Sequence, residues 1–316
     1  MIEIEPLGPL FGASITGCDL ADLDDDTFAE IRAAMVEHEV LVIRDQPITT
    51  EQHMAFGRRF GELSVSPFSP TAEEVPELIV LDNHGDAPKP LTDIRHSDET
   101  FRIEPPLATV LRSRIVPRFG GDTMFASMTA AYDGLSDRMK VYLDGLTATH
   151  GHGRFGQRLS EDPESLSILQ RVQREHPPAH HPVIRHHPES GRRAIFVNAH
   201  FTTRVDGLRA EESNAILDFL LRQPLVAEYQ LRVSWEPDQI VMWDNRSVQH
   251  YAPNDYLPQR RRMERVTICG DKPLGDGDGD VDGPAMIVGG VEPRNTGESR
   301  GEEGERMGVG RPTDHS

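Results

Sequence analysis

A domain of mixed short strands and helices is expected from three features of the 316-residue sequence: short β-branched or alternating runs, helical signatures, and glycine-rich turn signals between them. Asp24-Asp25-Asp26 suits the positive end of a helix dipole, and Phe28, Ile31, Ala34 and Met35 follow at helical spacing, so residues 24–38 form a helix. Val40-Leu41-Val42-Ile43 is a short buried strand. Thr49 and Gln52 have the offset of a capping box and start a helix reaching about Phe60. Residues 64–92 are loop-rich around one strand, Leu78–Leu81. Ala108–Arg112 is a strand by its β-branched content, Gly120-Gly121-Asp122 a turn, and Ser127 can cap a helix from Met128 to about Leu143. Further on come a strand at Ala194–Val197, a helix near Ala210 to Leu221, the alternating strand Tyr229–Trp235, and a buried strand Ile240–Trp243 that ends at the turn before His250.

With 37% hydrophobic residues the chain can bury one large core. Its net charge of -19 excludes a nucleic-acid binder, which needs a basic patch for phosphates. Cys18 and Cys269 form neither a disulfide framework nor a thiolate cluster and are expected to pack as small hydrophobes. No apolar run reaches membrane-spanning length and the N-terminus has no leader pattern, so a cytosolic protein with no membrane partner is expected. Assembly into a homo-oligomer is compatible with the sequence. Residues 274–316 change character, carrying 11 of the 27 glycines, which predicts a catalytic domain over 1–273 and a disordered tail. Asp278–Gly283 imitates half a calcium loop, but Gly289 occupies the twelfth position where such a loop needs glutamate.

The residues that carry chemistry centre on His96-Ser97-Asp98. On an extended strand, side chains two apart share a face with Cα atoms about 6 to 7 Å apart, a span one metal ion can bridge. His250 is a third candidate ligand, and two imidazoles with one carboxylate leave three open positions on an octahedral ion, as in non-haem Fe(II) oxygenases. Downstream, Arg261, Met263 and Arg265 share one face of an extended segment while Arg260 and Arg262 point the other way. His150, His152, His176, His180, His181, His186 and His187 lack metal-site spacing; His176 and His180 enclose two prolines, and surface or loop positions are expected for the group.

Five blocks in order resemble the Fe(II)- and 2-oxoglutarate-dependent dioxygenases of the taurine dioxygenase and 2,4-dichlorophenoxyacetate dioxygenase group. They are Gly12–Gly17, His96–Phe101, Gly120–Thr123, Phe196-Val197-Asn198 with Phe201–Arg204, and Trp243–Arg265, within about residues 3–273. The resemblance implies a mainly β fold with flanking helices, a double-stranded β-helix or cupin-like jelly roll, with Fe(II) on His96, Asp98 and His250. It implies 2-oxoglutarate held by the Thr123 hydroxyl and by the guanidinium fork of Arg261, and O2 and a small-molecule substrate as the other reactants. Arg265 would meet a substrate anion or the second carboxylate, and Phe201 aligns with a substrate-pocket aromatic. Ser66 stands before Pro67 where sulfonate-oxidising relatives have a substrate-binding histidine, and Arg95 stands where the group has tryptophan. The head group therefore stays open among sulfonate, sulfate ester, aryloxyalkanoate and natural-product intermediates. Two other classes share the triad: a Zn(II) hydrolase, which needs no Arg261, and a non-catalytic binding protein on the same barrel.

Overall fold

The computed structural model describes residues 2–68, 75–85, 92–159 and 163–276. Its frame is a seven-stranded sheet in the order Glu3–Pro6, Ala13–Thr16, Val40–Ile43, Ile240–Asp244, Ala108–Ile115, Arg261–Ile268, Ile79–Asn83. Every pairing in it is antiparallel except that of Ala13–Thr16 with Val40–Ile43. A minor sheet places Thr123–Ser127 between Gln230–Val233 and Val248–Tyr251.

The apolar runs are continuous because the central strands are buried on both faces. Leu41 and Ile43, with Ile240 and Met242, pack under the helices Asp25–His38 and Thr50–Arg58 against Ile31, Met35, Met54 and Phe56. Their alternates Val40, Val42, Val241 and Trp243 pack against Phe125, Val233 and Val248 of the minor sheet and Trp235 just beyond it. Each such side chain contributes about 1.5–3 kcal/mol on burial, so the two-faced pattern sets the register. Both helix starts follow the sequence: Asp24 accepts from the Thr27 N–H, and Thr49 and Gln52 close a reciprocal capping box.

Several expectations are corrected. The Met128–Leu143 helix is two helices, Met128–Asp133 and Asp137–Leu143, the second capped by Ser136. The break falls between Gly134 and Ser136: Gly134 keeps helical dihedrals as the C-cap of the first helix, packed where a Cβ would lie 1.9 Å from the Tyr229 hydroxyl, and Ser136 turns to extended backbone to start the second. Cys18 packs at the edge of the core, but Cys269 is exposed just past its strand. Most of the central histidines are not on the surface: His150, His152, His181 and His187 are buried. His150 lies on Thr147–His150 and His181 on Ala179–Pro182, two strands of a separate three-stranded sheet completed by Thr202–Val205. His150 Nδ1 meets Thr100 Oγ1 at 3.0 Å, and His181 Nε2 meets the carbonyls of Thr100 and Arg102 at 3.0 and 2.9 Å. These imidazoles buttress the turn that carries Asp98.

The folded chain continues to at least Asp276: Leu274 bridges His186, and Asp276 pairs with Arg193. The expected disordered tail starts at 274; its remainder, 277–316, with the calcium-loop imitation, lies outside the described residues. Among the described residues no helix is long and apolar enough to cross a membrane.

Burial makes the histidine framework acid-sensitive. His53, in the helix Thr50–Arg58, and His181 are each pushed down by desolvation to about 4. Their folded pKa values lie below the unfolded value near 6.5, so the stability they confer is full above that pH and lost as pH falls toward 4, on the order of 3 kcal/mol each. Thermal unfolding in chelator is expected to show Tm falling between pH 6.5 and 5, with a shallower slope in His53→Gln. A flat Tm across that window would contradict neutral burial.

Candidate active site

His96 and His250 meet across a single antiparallel bridge, the His96 N–H donating to the His250 carbonyl at 3.1 Å and the reverse bond spanning 2.8 Å. His250 sits on Val248–Tyr251 of the minor sheet. The His-Ser-Asp segment is therefore no regular strand, contrary to expectation: beyond His96 the chain turns, and Glu99 takes a positive φ of 45°. This turn, rather than strand alternation, brings Asp98 beside both imidazoles. Asp98 Oδ1 lies 3.7 Å from Nε2 of His96 and 3.7 Å from Nε2 of His250, and the three donors all fall within 4.8 Å of one another.

Each donor is prepared for a divalent ion. His96 Nδ1 lies 2.7 Å from the Ile94 carbonyl, which places the proton there and leaves Nε2 as the ligand atom. Burial pushes both imidazoles toward the neutral form that ligation needs. Burial would also neutralise Asp98, but Arg265, His250, His96 and the Thr109 hydroxyl together hold its carboxyl well below the usual range. The carboxylate is divided: Oδ2 accepts from Thr109 Oγ1 at 2.7 Å and pairs with Arg265 Nη2 at 2.9 Å, leaving Oδ1 for the imidazole side. Asn245 ties the shell together. Its Oδ1 accepts from Trp243 Nε1 at 3.0 Å and from the Asp98 N–H at 3.3 Å, and its Nδ2 donates to Thr109 Oγ1 at 3.1 Å. Two neutral imidazoles and an ionised carboxylate, with cavities beside them, fit a first-row transition metal with open positions.

One cavity beside His250 contains Thr123, Tyr256 and Arg261. Arg261 Nε donates to the Gly121 carbonyl at 3.0 Å, its guanidinium carbon lies 5.7 Å from the Trp235 ring centroid, and one buried terminal nitrogen has no partner. Burial pulls its pKa down to about 10. Among the described residues no carboxylate pairs with it, so a cation stands ready for an incoming anion. Thr123 Oγ1 accepts from Trp235 Nε1 at 3.0 Å, which turns its own proton free to donate. The Gly120-Gly121 turn is required for this wall: both residues have positive φ, and a Cβ on Gly121 would press to 3.1 Å from Arg261 Cδ.

The description "Taurine catabolism dioxygenase TauD, TfdA family" matches residues 3–267. The chain belongs to this family. It is 34% identical to the alpha-ketoglutarate-dependent sulfate ester dioxygenase of Pseudomonas putida, over 87% of this chain and 91% of that protein. It is 33% identical to the alpha-ketoglutarate-dependent 2,4-dichlorophenoxyacetate dioxygenase of Cupriavidus pinatubonensis, over 85% of this chain and 98% of that one. A crystal structure of a taurine dioxygenase from Burkholderia xenovorans superposes with a TM-score of 0.74 at 31% identity, covering 87% of this chain and 93% of that one. As a TauD/TfdA-family member, the protein is a 2-oxoglutarate-dependent non-haem iron dioxygenase that uses Fe(II), 2-oxoglutarate, O2 and a small-molecule substrate.

Beside His96 and Asp98 lies a cavity of 400 Å³ bordered by Ser66, Phe101, His200, Phe201 and Arg265. Phe201 is both wall and core: it is buried, packs 5.4 Å from Phe101 and turns an edge toward His96. Ser66 Oγ donates to Glu99 Oε1 at 2.7 Å. Arg265, expected to face an organic anion, pairs first with Asp98, although it borders both cavities. Arg260, on the opposite parity, pairs with Asp82 at the surface. Thr109 and His200 carried no signal in the sequence, because their roles depend on neighbours 11 or more residues away.

Proposed function

We propose that the protein hydroxylates a small organic anion, holding Fe(II) on His96, Asp98 and His250 and 2-oxoglutarate between Thr123 and Arg261. The observation that carries this reading is the convergence of the three donors beside a buried, unpaired guanidinium nitrogen. We also read the seven-stranded and minor sheets, packed face to face through Trp243 and Phe125, as the two halves of a jelly roll.

Bound iron and 2-oxoglutarate supply the oxidising power that, with O2, inserts oxygen into a C–H bond as succinate and CO2 leave. The chain's own residues orient and exclude water. Arg261 would hold the far carboxylate of 2-oxoglutarate through its buried guanidinium, whose planar fork a lysine could not reproduce. Thr123 donates to the same group. Thr109 and Asn245 keep the Asp98 carboxylate turned toward the imidazoles. Arg265, standing between the cavities, balances Asp98 and draws the substrate's charge toward the reacting centre, while Ser66 and Phe201 border the space for its body. The sulfate ester and phenoxyacetate chemistry of the relatives supports an anionic substrate. Hydroxylation beside an ester or ether oxygen would cleave such a molecule. A cytosolic setting, where ferrous iron is kept reduced, suits the reaction.

Succinate release is expected only when Fe(II), O2, 2-oxoglutarate and a suitable anion are all present, with one oxygen atom gained or a fragment lost in the product mass. Product formation with Zn(II) and no 2-oxoglutarate would instead identify a hydrolase.

A further inference from the structure

His200 is a fourth imidazole at the site. Its ring stacks on His96 with centroids 4.4 Å apart and planes 18° apart, and it borders the 400 Å³ cavity. It is 2% exposed, and neither ring nitrogen has a hydrogen-bond partner. The backbone beneath it is fixed: Asn198 Oδ1 accepts from the N–H groups of His200 and Phe201 at 3.1 and 3.0 Å. The helix Gly153–Leu159 presses on the same loop, since a Cβ on Gly153 would fall 2.7 Å from the His200 carbonyl. A held, buried imidazole offers one donor and one acceptor, and leaving both unmatched is unfavourable unless a partner arrives with a ligand.

Several other polar groups of that cavity are already engaged. The Ser66 proton is given to Glu99, whose second oxygen lies 2.7 Å from Arg102 Nε. Arg265 is divided between Asp98 and Thr267. The walls are otherwise aromatic and aliphatic, with Phe68 4.8 Å from Phe155 and 5.6 Å from Phe101, and Phe155 5.7 Å from Phe201. A ligand's body therefore meets apolar rings, and the edge of His200 beside His96 offers it an unengaged hydrogen-bonding contact.

We propose that His200 is a specificity-determining residue, hydrogen-bonding an oxygen of an organic anion whose alkyl or aryl body packs among Phe68, Phe101, Phe155 and Phe201. This deepens the dioxygenase reading and rests on it. It also disfavours small zwitterions such as taurine, whose ammonium would find Glu99 already committed.

The test uses the full chain with Fe(II) and 2-oxoglutarate under anaerobic conditions, titrated calorimetrically with hexyl sulfate, phenoxyacetate and taurine. Hexyl sulfate or phenoxyacetate is expected to bind at least about tenfold tighter than taurine. His200→Phe, which keeps a flat ring and removes the nitrogens, weakens that binding by about tenfold, and His200→Gln recovers part of it. The affinity for 2-oxoglutarate stays the same in all three proteins, and in air the variants raise KM more than they lower kcat. A change below about twofold in His200→Phe, a preference for taurine, or a parallel loss of 2-oxoglutarate binding overturns the assignment. Binding of 2-oxoglutarate with none of the three anions overturns the substrate class alone, whereas failure to bind 2-oxoglutarate overturns the underlying reading.

Discussion

Asp98→Ala is expected to abolish 2-oxoglutarate turnover and lower metal affinity by at least about 100-fold, since loss of an outer partner alone costs 10–100-fold and this change removes a ligand. Electrostatics adds to the loss. Arg265 lies 2.9 Å from the missing oxygen, so the variant presents two neutral imidazoles and a cation to an incoming divalent ion. The fold should survive, because the freed Arg265 borders two cavities and can be solvated there. Circular dichroism and thermal unfolding of the metal-free variant, beside a metal titration, separate the two effects. Turnover at the parent rate would remove Asp98 from the centre.

Arg261→Met should raise the 2-oxoglutarate requirement by roughly 10²–10⁴-fold, the worth of two charge-assisted bonds at about 1.5–3 kcal/mol each. The ligand-free variant should be as stable as the parent or more so. A buried guanidinium with an unpartnered nitrogen and, among the described residues, no carboxylate in ion-pair contact is a liability that a flexible apolar side chain removes. Saturating 2-oxoglutarate stabilises the parent by mass action, about 2.7 kcal/mol at 100 times Kd, and that shift should vanish in the variant. Opposite signs for ligand-free stability and ligand response distinguish an anion cradle from a structural cation. A destabilised Arg261→Met that keeps its 2-oxoglutarate response would refute the role.

Much of the frame was legible because it is local. The capping box at Thr49 and Gln52, the acidic start at Asp24 and the apolar tetrads Val40–Ile43 and Ile240–Trp243 depend on residues within one element. The packing of Gly134 against Tyr229 was not legible, because Tyr229 lies far along the chain. The burial of the middle histidines was not legible for a related reason: nothing adjacent in sequence shows that Thr100 and Arg102 are the partners of His150 and His181.

The amino-acid order by itself determined the donors, His96, Asp98 and His250, the parity that separates Arg261 and Arg265 from Arg260 and Arg262, and the strands and helices that carry them. Tertiary structure alone decided that a turn delivers Asp98, that Arg265 is its partner, and that His200 lies stacked and unpaired over His96. The reason is range. Side-chain periodicity and capping act within a few residues, whereas the sharing of one carboxylate among Thr109, Arg265 and two imidazoles is set only when distant strands pair.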